Sequence, residues 1–74
     1  MATPKIRLEL ARQLRKIRKK QGLTQEETAE RSGLDTRYYQ RLESRRPNAV
    51  KIDTLEKLAK GLKVPVWKLL QFKD

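Results

Sequence analysis

The sequence contains no cysteine and no histidine, and it has only three glycines, three prolines and four aromatic residues in 74 positions. Without cysteine there is no disulfide or thiolate metal site, so packing alone must hold the fold. Without histidine the chain lacks the usual nitrogen ligand for a metal and the usual general base near neutral pH. No apolar run approaches the ~18 residues of a membrane-spanning helix, and the N-terminus lacks a signal-peptide pattern. We therefore expect a soluble, cytoplasmic protein that is not an enzyme and needs no cofactor or metal.

Positive charge is what the sequence has in excess. Nineteen Lys and Arg residues face nine Asp and Glu residues, which gives a formal net charge of +10. The charge is uneven, with a net +7 in residues 1–20, −3 in residues 21–35, +3 in residues 36–46 and +3 in residues 47–74. Such a surplus points to a polyanionic partner, with nucleic acid the first candidate and an anionic membrane the second.

The hydrophobic pattern is helical throughout, and a chain of this length supports one core. We therefore expect residues 1–74 to form a single all-α domain of five helices. The first helix runs from Pro4 to about Gln21 and ends at Gly22, with core positions at Ile6, Leu10, Leu14 and Ile17. The fourth carries Ile52, Leu55, Leu58, Ala59 and Leu62, and a short fifth helix starts at residues 64–66 and holds Trp67, Leu69 and Leu70.

Two short helices are predicted between these. Thr24 and Glu27 form a capping box that starts the second helix, and Gly33 provides its left-handed end. Asp35 is an N-cap for a third helix over residues 36–44. Two short helices joined by a turn with glycine form a helix-turn-helix, here about residues 24–44, whose second helix is the one presented to DNA.

The sequence resembles the Cro/C1-type (XRE) helix-turn-helix family of phage repressors, restriction-modification controller proteins and antitoxins. The resemblance lies in LTQEETA at residues 23–29, Gly33-Leu34, YYQRLE at 38–43, TLEKLAKGL at 54–62 and VPVWKLL at 64–70. It implies a lambda-repressor-like domain, bacterial or phage-derived, that binds operator DNA as a symmetric dimer and regulates transcription. The chain departs from the family at Thr28, where leucine is usual, at Tyr39, where a β-branched aliphatic is usual, at Arg45 and Lys63, where glycine is usual, and in a longer loop over residues 44–53.

The polar face of the third helix is the predicted reading surface. Thr36, Arg37 and Arg41 match the family's base-contacting positions, and Gln40 lies next to them. Arginine can bond bidentately to guanine O6 and N7, which discriminates by about 1–3 kcal/mol per good pair. The alternative interpretation is a solvated basic helix face, and for Gln40 plain exposure.

A second set of residues is predicted to contact DNA phosphates and so to position the protein. Its members are Gln25, Arg18, Tyr38, Arg45, Arg46 and Asn48, with Lys19, Lys20 and Lys51 as further candidates. The resemblance also implies that Arg18 pairs with Glu43, linking the first helix to the third. The alternatives are a tolerated helix-start residue for Gln25, a core-edge role for Tyr38 and ordinary surface charge for the basic residues.

Apolar residues near the last helix are predicted to form a dimer interface: Trp67, Leu70 and Phe72. The alternative for Trp67 is that it fills the core.

The favoured function is a homodimeric, sequence-specific regulator of transcription that binds double-stranded DNA. An antitoxin that binds a toxin and its own operator is the rival. Membrane binding through the first helix is disfavoured because its apolar residues are needed for the core, and catalysis is least favoured because no His or Cys accompanies the carboxylates.

Overall fold

A computed structural model, which describes residues 2–72, contains five α-helices and no strand within that range. They are α1 (Lys5–Lys20), α2 (Gln25–Arg31), α3 (Thr36–Leu42), α4 (Ile52–Leu62) and α5 (Val66–Leu69). The all-α prediction is confirmed. The predicted helix ends are correct to within one or two residues, the largest difference being that α3 ends at Leu42. None of the described helices is both long and apolar enough to cross a membrane.

Local hydrogen bonds set the ends of the first three helices. Gly22 (φ 71°) and Gly33 (φ 68°) take the left-handed conformation that ends α1 and α2, which is easy only for a residue without Cβ. The Thr24 hydroxyl accepts from the Glu27 N–H at 3.0 Å, and the Glu27 carboxylate accepts from the Thr24 N–H at 2.9 Å. Asp35 accepts from the first amides of α3. The capping residues predicted from the sequence are confirmed.

The core is a layer of aliphatic side chains around one buried tyrosine. It consists of Leu10, Leu14, Ile17, Ala29, Tyr39, Leu42, Leu55, Leu58, Ala59, Leu62 and Leu69. One predicted core position is wrong, since Ile6 is 60% exposed. Ile52, which fits the apolar pattern of α4, is 76% exposed. Both lie in the first turn of their helix, and the packed stripe begins at Leu10 and Leu55 respectively.

Two departures from the family pattern are accommodated locally. Thr28 is fully buried, and its hydroxyl donates to the Thr24 carbonyl at 3.0 Å, so that no polar group is stranded where leucine is usual. Lys63 adopts the left-handed conformation itself, with φ 57°, at the end of α4. The backbone geometry that glycine normally provides is therefore kept, at a conformational cost of about 1 kcal/mol.

We expect Gly61→Ala to lower the free energy of unfolding by about 1–3 kcal/mol. A Cβ on Gly61 would lie 2.3 Å from Ser32 Oγ and 2.9 Å from the Ser32 backbone nitrogen, where α4 crosses the end of α2. Urea denaturation measures the effect. Lys60→Ala, at an exposed neighbouring position of α4, is the control and should change stability by less than about 0.5 kcal/mol. The sign of the change in the free energy of unfolding is diagnostic, because alanine otherwise stabilises a helix by up to about 1 kcal/mol relative to glycine. A Gly61→Ala variant more stable than the wild-type protein would contradict the close contact.

Candidate nucleic-acid interface

The two faces of α3 differ completely in burial. Tyr39 is fully buried and Leu42 is 1% exposed, and both join the core. Arg37, Gln40 and Arg41 are exposed on the opposite side, which leaves a polar, basic face of α3 open to solvent. The two other predicted contact residues on this helix, Thr36 and Tyr38, are half-buried, and Tyr38 packs against the core.

An acidic surface lies beside the start of α3. Thr36 and Asp35 line a concavity of about 580 Å³ together with three glutamates of α2, namely Glu26, Glu27 and Glu30. Four carboxylates around one hollow repel a phosphate. A polyanion is therefore directed away from this side and toward Arg37, Arg41 and the C-terminal end of α3.

A buried carboxylate ties the helix-turn-helix to α1. The side chain of Glu43, which follows α3, is 1% exposed. Arg18 donates to both carboxylate oxygens of Glu43, from Nε to Oε2 at 2.7 Å and from Nη2 to Oε1 at 2.9 Å. The Tyr39 hydroxyl donates to Oε2, and Gln25 Nε2 donates to Oε1 at 3.0 Å. This group, called here the Glu43 cluster (Arg18, Gln25, Tyr39 and Glu43), connects α1, α2 and α3.

The cluster shifts the titration of its members. Burial raises the pKa of Glu43, but the hydrogen bonds from Arg18, Tyr39 and Gln25 outweigh burial and leave its pKa below the ordinary value. Burial, and then the hydrogen bond to Glu43, raises the pKa of Tyr39 far above its usual range. The hydrogen bond to Glu43 raises the pKa of Arg18. The ionised carboxylate and the guanidinium therefore stabilise each other at neutral pH.

Arg18 was predicted both to pair with Glu43 and to contact a phosphate, and the structure places it in the ion pair. The residue is 9% exposed, and its third nitrogen, Nη1, donates to the Leu23 carbonyl at 2.8 Å. Each of the three nitrogens thus donates one hydrogen bond inside the protein, which leaves one further N–H on Nη1 and one on Nη2. Gln25 is half-buried at the start of α2, and one of its amide hydrogens is directed to Glu43.

The remaining phosphate candidates lie on the loop after α3 and at the end of α1. Arg45, Arg46, Lys51, Lys19 and Lys20 are exposed, and Asn48 is half-buried. Ser44 Oγ organises the start of the loop, since it donates to the Arg41 carbonyl at 2.7 Å and accepts from the Arg46 N–H at 3.2 Å. The five basic side chains are accessible to solvent and therefore to a backbone phosphate.

Arg15 is a residue of this region that sequence reasoning missed. Its Nη2 donates to the Glu43 carbonyl at 2.6 Å, and its Nε lies 3.9 Å from Glu43 Oε1. The sequence spacing indicates its position, because residues three apart share a helix face and Arg15 precedes Arg18 by three positions. The cation therefore lies at the C-terminal end of α3, where it offsets the negative end of the helix dipole.

The C-terminal apolar residues differ in exposure. Trp67 is 62% exposed and Leu70 is 41% exposed, whereas Phe72 is half-buried against the core. The alternative that Trp67 fills the core is therefore wrong. Leu70 shares an open apolar groove with Ile6, Val50 and Leu55.

Comparisons with known proteins agree with this geometry. A model of the helix-turn-helix family matches residues 14–66. The chain is 33% identical to the restriction-modification controller protein C.AhdI from Aeromonas hydrophila, over 85% of this chain and 94% of that chain, with a TM-score of 0.80. It is 37% identical to NHTF, a hypothetical transcription factor from Neisseria, over 88% and 74% of the two chains, also with a TM-score of 0.80.

A third similar structure contains DNA. It is C.Esp1396I, a restriction-modification controller protein, bound to a 19 base pair DNA duplex. This chain is 32% identical to it, with 88% of this chain and 89% of that chain covered and a TM-score of 0.78. No curated protein sequence matches the chain.

Proposed function

Since the chain belongs to the helix-turn-helix family of the Cro/C1 (XRE) type, we propose that it is a sequence-specific regulator of transcription that binds a pseudo-palindromic DNA operator as a homodimer. The observation that carries the proposal is the exposed basic face of α3, held in place by the Glu43 cluster. The family is one of DNA-binding regulators and not of enzymes. The likeness to controller proteins, one of them bound to DNA, supports a controller-type or repressor-type role.

The proposed role of each DNA-contacting residue follows from its position in the single proposed domain. Arg37 and Arg41, with Gln40 between them, read base edges in the major groove, and Thr36 contacts a base at the start of the helix. Arg45, Arg46 and Asn48 contact phosphates and fix the position of α3 on the duplex. Gln25 and Tyr38 contact phosphates from the half-buried edge of the same surface. Arg18 positions α3 through Glu43, and its two remaining N–H groups contact a phosphate.

The homodimer is supported by apolar exposure at the C-terminal end. Trp67 and Leu70 expose large apolar side chains that a protein partner would cover, and Phe72 adjoins them in the chain. A two-fold dimer places two copies of α3 about one turn of DNA apart, which requires an operator with two-fold symmetry. The rival occupant of this surface is a toxin or another protein partner.

We expect Arg37→Ala and Arg41→Ala each to cost about 1–3 kcal/mol of binding to the operator and to relax base preference within each half-site. Fluorescence anisotropy with the operator and with single-base variants of it measures both effects. Arg46→Gln is the matched comparison, since removing a phosphate ligand should weaken binding to all sequences about equally. Unchanged base preference in both arginine variants would contradict the assignment of α3 as the reading helix.

The operator itself is obtained by selecting bound sequences from random duplex DNA. The proposal predicts an enriched site with two-fold symmetry and a dimer by light scattering of the pure protein. A selection that enriches no sequence would overturn the proposed function. An enriched site without symmetry, bound by a monomer, would overturn the homodimer and favour a protein-interaction module whose apolar surface meets a different chain.

A further inference from the structure

Four cations surround one concavity outside the reading face. The hollow, of about 520 Å³, lies between α1, from Lys5 to Arg15, and the residues that follow α3. Its lining includes Lys5, Arg12 and Arg15 from α1, and Arg45 with Ser44 after α3. We refer to it as the basic concavity (Lys5, Arg12, Arg15, Arg45).

The two carboxylates in its wall are already neutralised. Glu43 is bound bidentately by Arg18 behind the wall. Glu9 lies 3.8 Å from the Lys5 ammonium. Arg12 and Arg45 are exposed, and the Arg15 side chain is 42% exposed although it is anchored to the Glu43 carbonyl. The basic concavity therefore presents uncompensated arginine charge to an incoming anion.

The position of the basic concavity identifies the anion. Ser44 and Arg45 lie two and three positions beyond Leu42, the last residue of α3, which has seven residues and is therefore about 10 Å long. When the N-terminal residues of a recognition helix contact base edges in the major groove, which is about 12 Å wide, its C-terminal end lies toward the sugar-phosphate backbone that borders the groove. Arginines that converge beside the C-terminal end of α3 then lie next to backbone phosphates at the edge of the half-site.

We propose that Arg12 and Arg15 form, with Arg45, a phosphate clamp that extends the DNA footprint from the helix-turn-helix onto α1. The inference rests on the proposed function, since the clamp binds the backbone of the same duplex. Guanidinium groups suit this ligand because they bond phosphate oxygens with two parallel N–H groups. Part of the +7 charge of residues 1–20 thereby makes direct contacts instead of acting only at long range.

Arg12→Gln and Arg15→Gln test the clamp on the selected operator duplex. The slope of log K against log salt concentration should fall in magnitude by about 0.9 for each phosphate that is no longer neutralised, and by twice that in a symmetric dimer. Lys57→Gln removes the same charge from an exposed position of α4 outside the concavity, and its slope should stay near the wild-type value. Far-ultraviolet circular dichroism and thermal melting check that each variant folds.

Neutral methylphosphonate links, placed one at a time outside the half-site, locate the contact. At one link the wild-type protein should lose affinity, whereas Arg12→Gln should lose nothing further. If Arg12→Gln and Arg15→Gln have the same salt slope as Lys57→Gln while the wild-type protein still prefers its operator, the clamp is overturned and the proposed function stands. If the wild-type protein selects no operator, the proposed function fails first. Equal salt slopes in all three variants would mean that the charge of α1 acts on DNA only through long-range attraction.

Discussion

Replacing Glu43 with alanine is expected to lower the free energy of unfolding by about 3–5 kcal/mol, because removal of one partner of a buried ion pair leaves the other charge uncompensated. Arg18 would lose two hydrogen bonds, and the Tyr39 hydroxyl and the Gln25 amide would each lose one. A small domain has a total stability of about 5–15 kcal/mol, so the variant approaches the limit of folding. Urea denaturation followed by circular dichroism measures the change.

A double variant separates charge from packing. Arg18→Met with Glu43→Leu removes both charges and keeps apolar volume, and it should be more stable than either single variant. A loss below about 1 kcal/mol in Glu43→Ala would contradict the structural importance given to the cluster. DNA binding by the double variant would show in addition that Arg18 is not required as a phosphate ligand.

The same cluster predicts acid sensitivity. The pKa of Glu43 is lowered in the folded protein, so its stabilising contribution is complete above the unfolded pKa of about 4.3 and is lost as pH falls through the folded pKa. Hydrogen bonds from Thr24 lower the pKa of Glu27 and act in the same pH range. Urea titrations from neutral to acidic pH measure the dependence, and Glu43→Gln should show a shallower loss of stability on acidification than the wild-type protein.

The second large effect is expected in the salt dependence of DNA affinity. Each phosphate neutralised by Lys or Arg releases bound counterions, so a protein with about 6–10 phosphate contacts loses about 10³–10⁵ in affinity between about 50 and 200 mM salt. The exposed cations proposed to contact phosphates would supply this number of contacts in the proposed dimer: Lys19, Lys20, Arg45, Arg46 and Lys51. The net charge of +10 per chain adds long-range attraction.

Anisotropy titrations at several salt concentrations measure this slope on the operator and on unrelated duplex DNA. Unfolding measured at the same salt concentrations is the control, since the fold should be stable across the range and binding alone should respond. A flat response would exclude phosphate contacts as the main source of affinity. A steep slope on unrelated DNA with a shallower slope on the operator would agree with base contacts that are made only at the specific site.

The helix ends show how far local sequence reaches. Gly22, Gly33, Thr24 and Asp35 were predicted to start or end helices, and each does so through bonds to residues within a few positions in the chain. The opposed faces of α3 followed in the same way from helical periodicity. These features are governed by backbone geometry and hydrogen bonds that the chain can form without the rest of the fold.

Burial at the ends of helices was harder to predict. Ile6 and Ile52 fit the apolar periodicity of α1 and α4 but are exposed, and Trp67 is exposed although large apolar residues usually fill cores. Periodicity gives the direction of a side chain and not the presence of a neighbour to cover it. Whether an end of a helix is covered depends on where the other helices lie.

The sequence by itself determined the five helices, the helix ends at Gly22, Thr24, Gly33 and Asp35, the basic polar face of α3 and, through the family motifs, the pairing of Arg18 with Glu43. Only the tertiary structure decided that Gln25 and Tyr39 share that carboxylate, that Arg18 is enclosed, and that Arg12 and Arg15 meet Arg45 in one concavity. The physical reason is distance along the chain. Local bonds depend on neighbours in sequence, whereas Arg18 and Glu43 are 25 positions apart and come together only when α1 packs beside the end of α3.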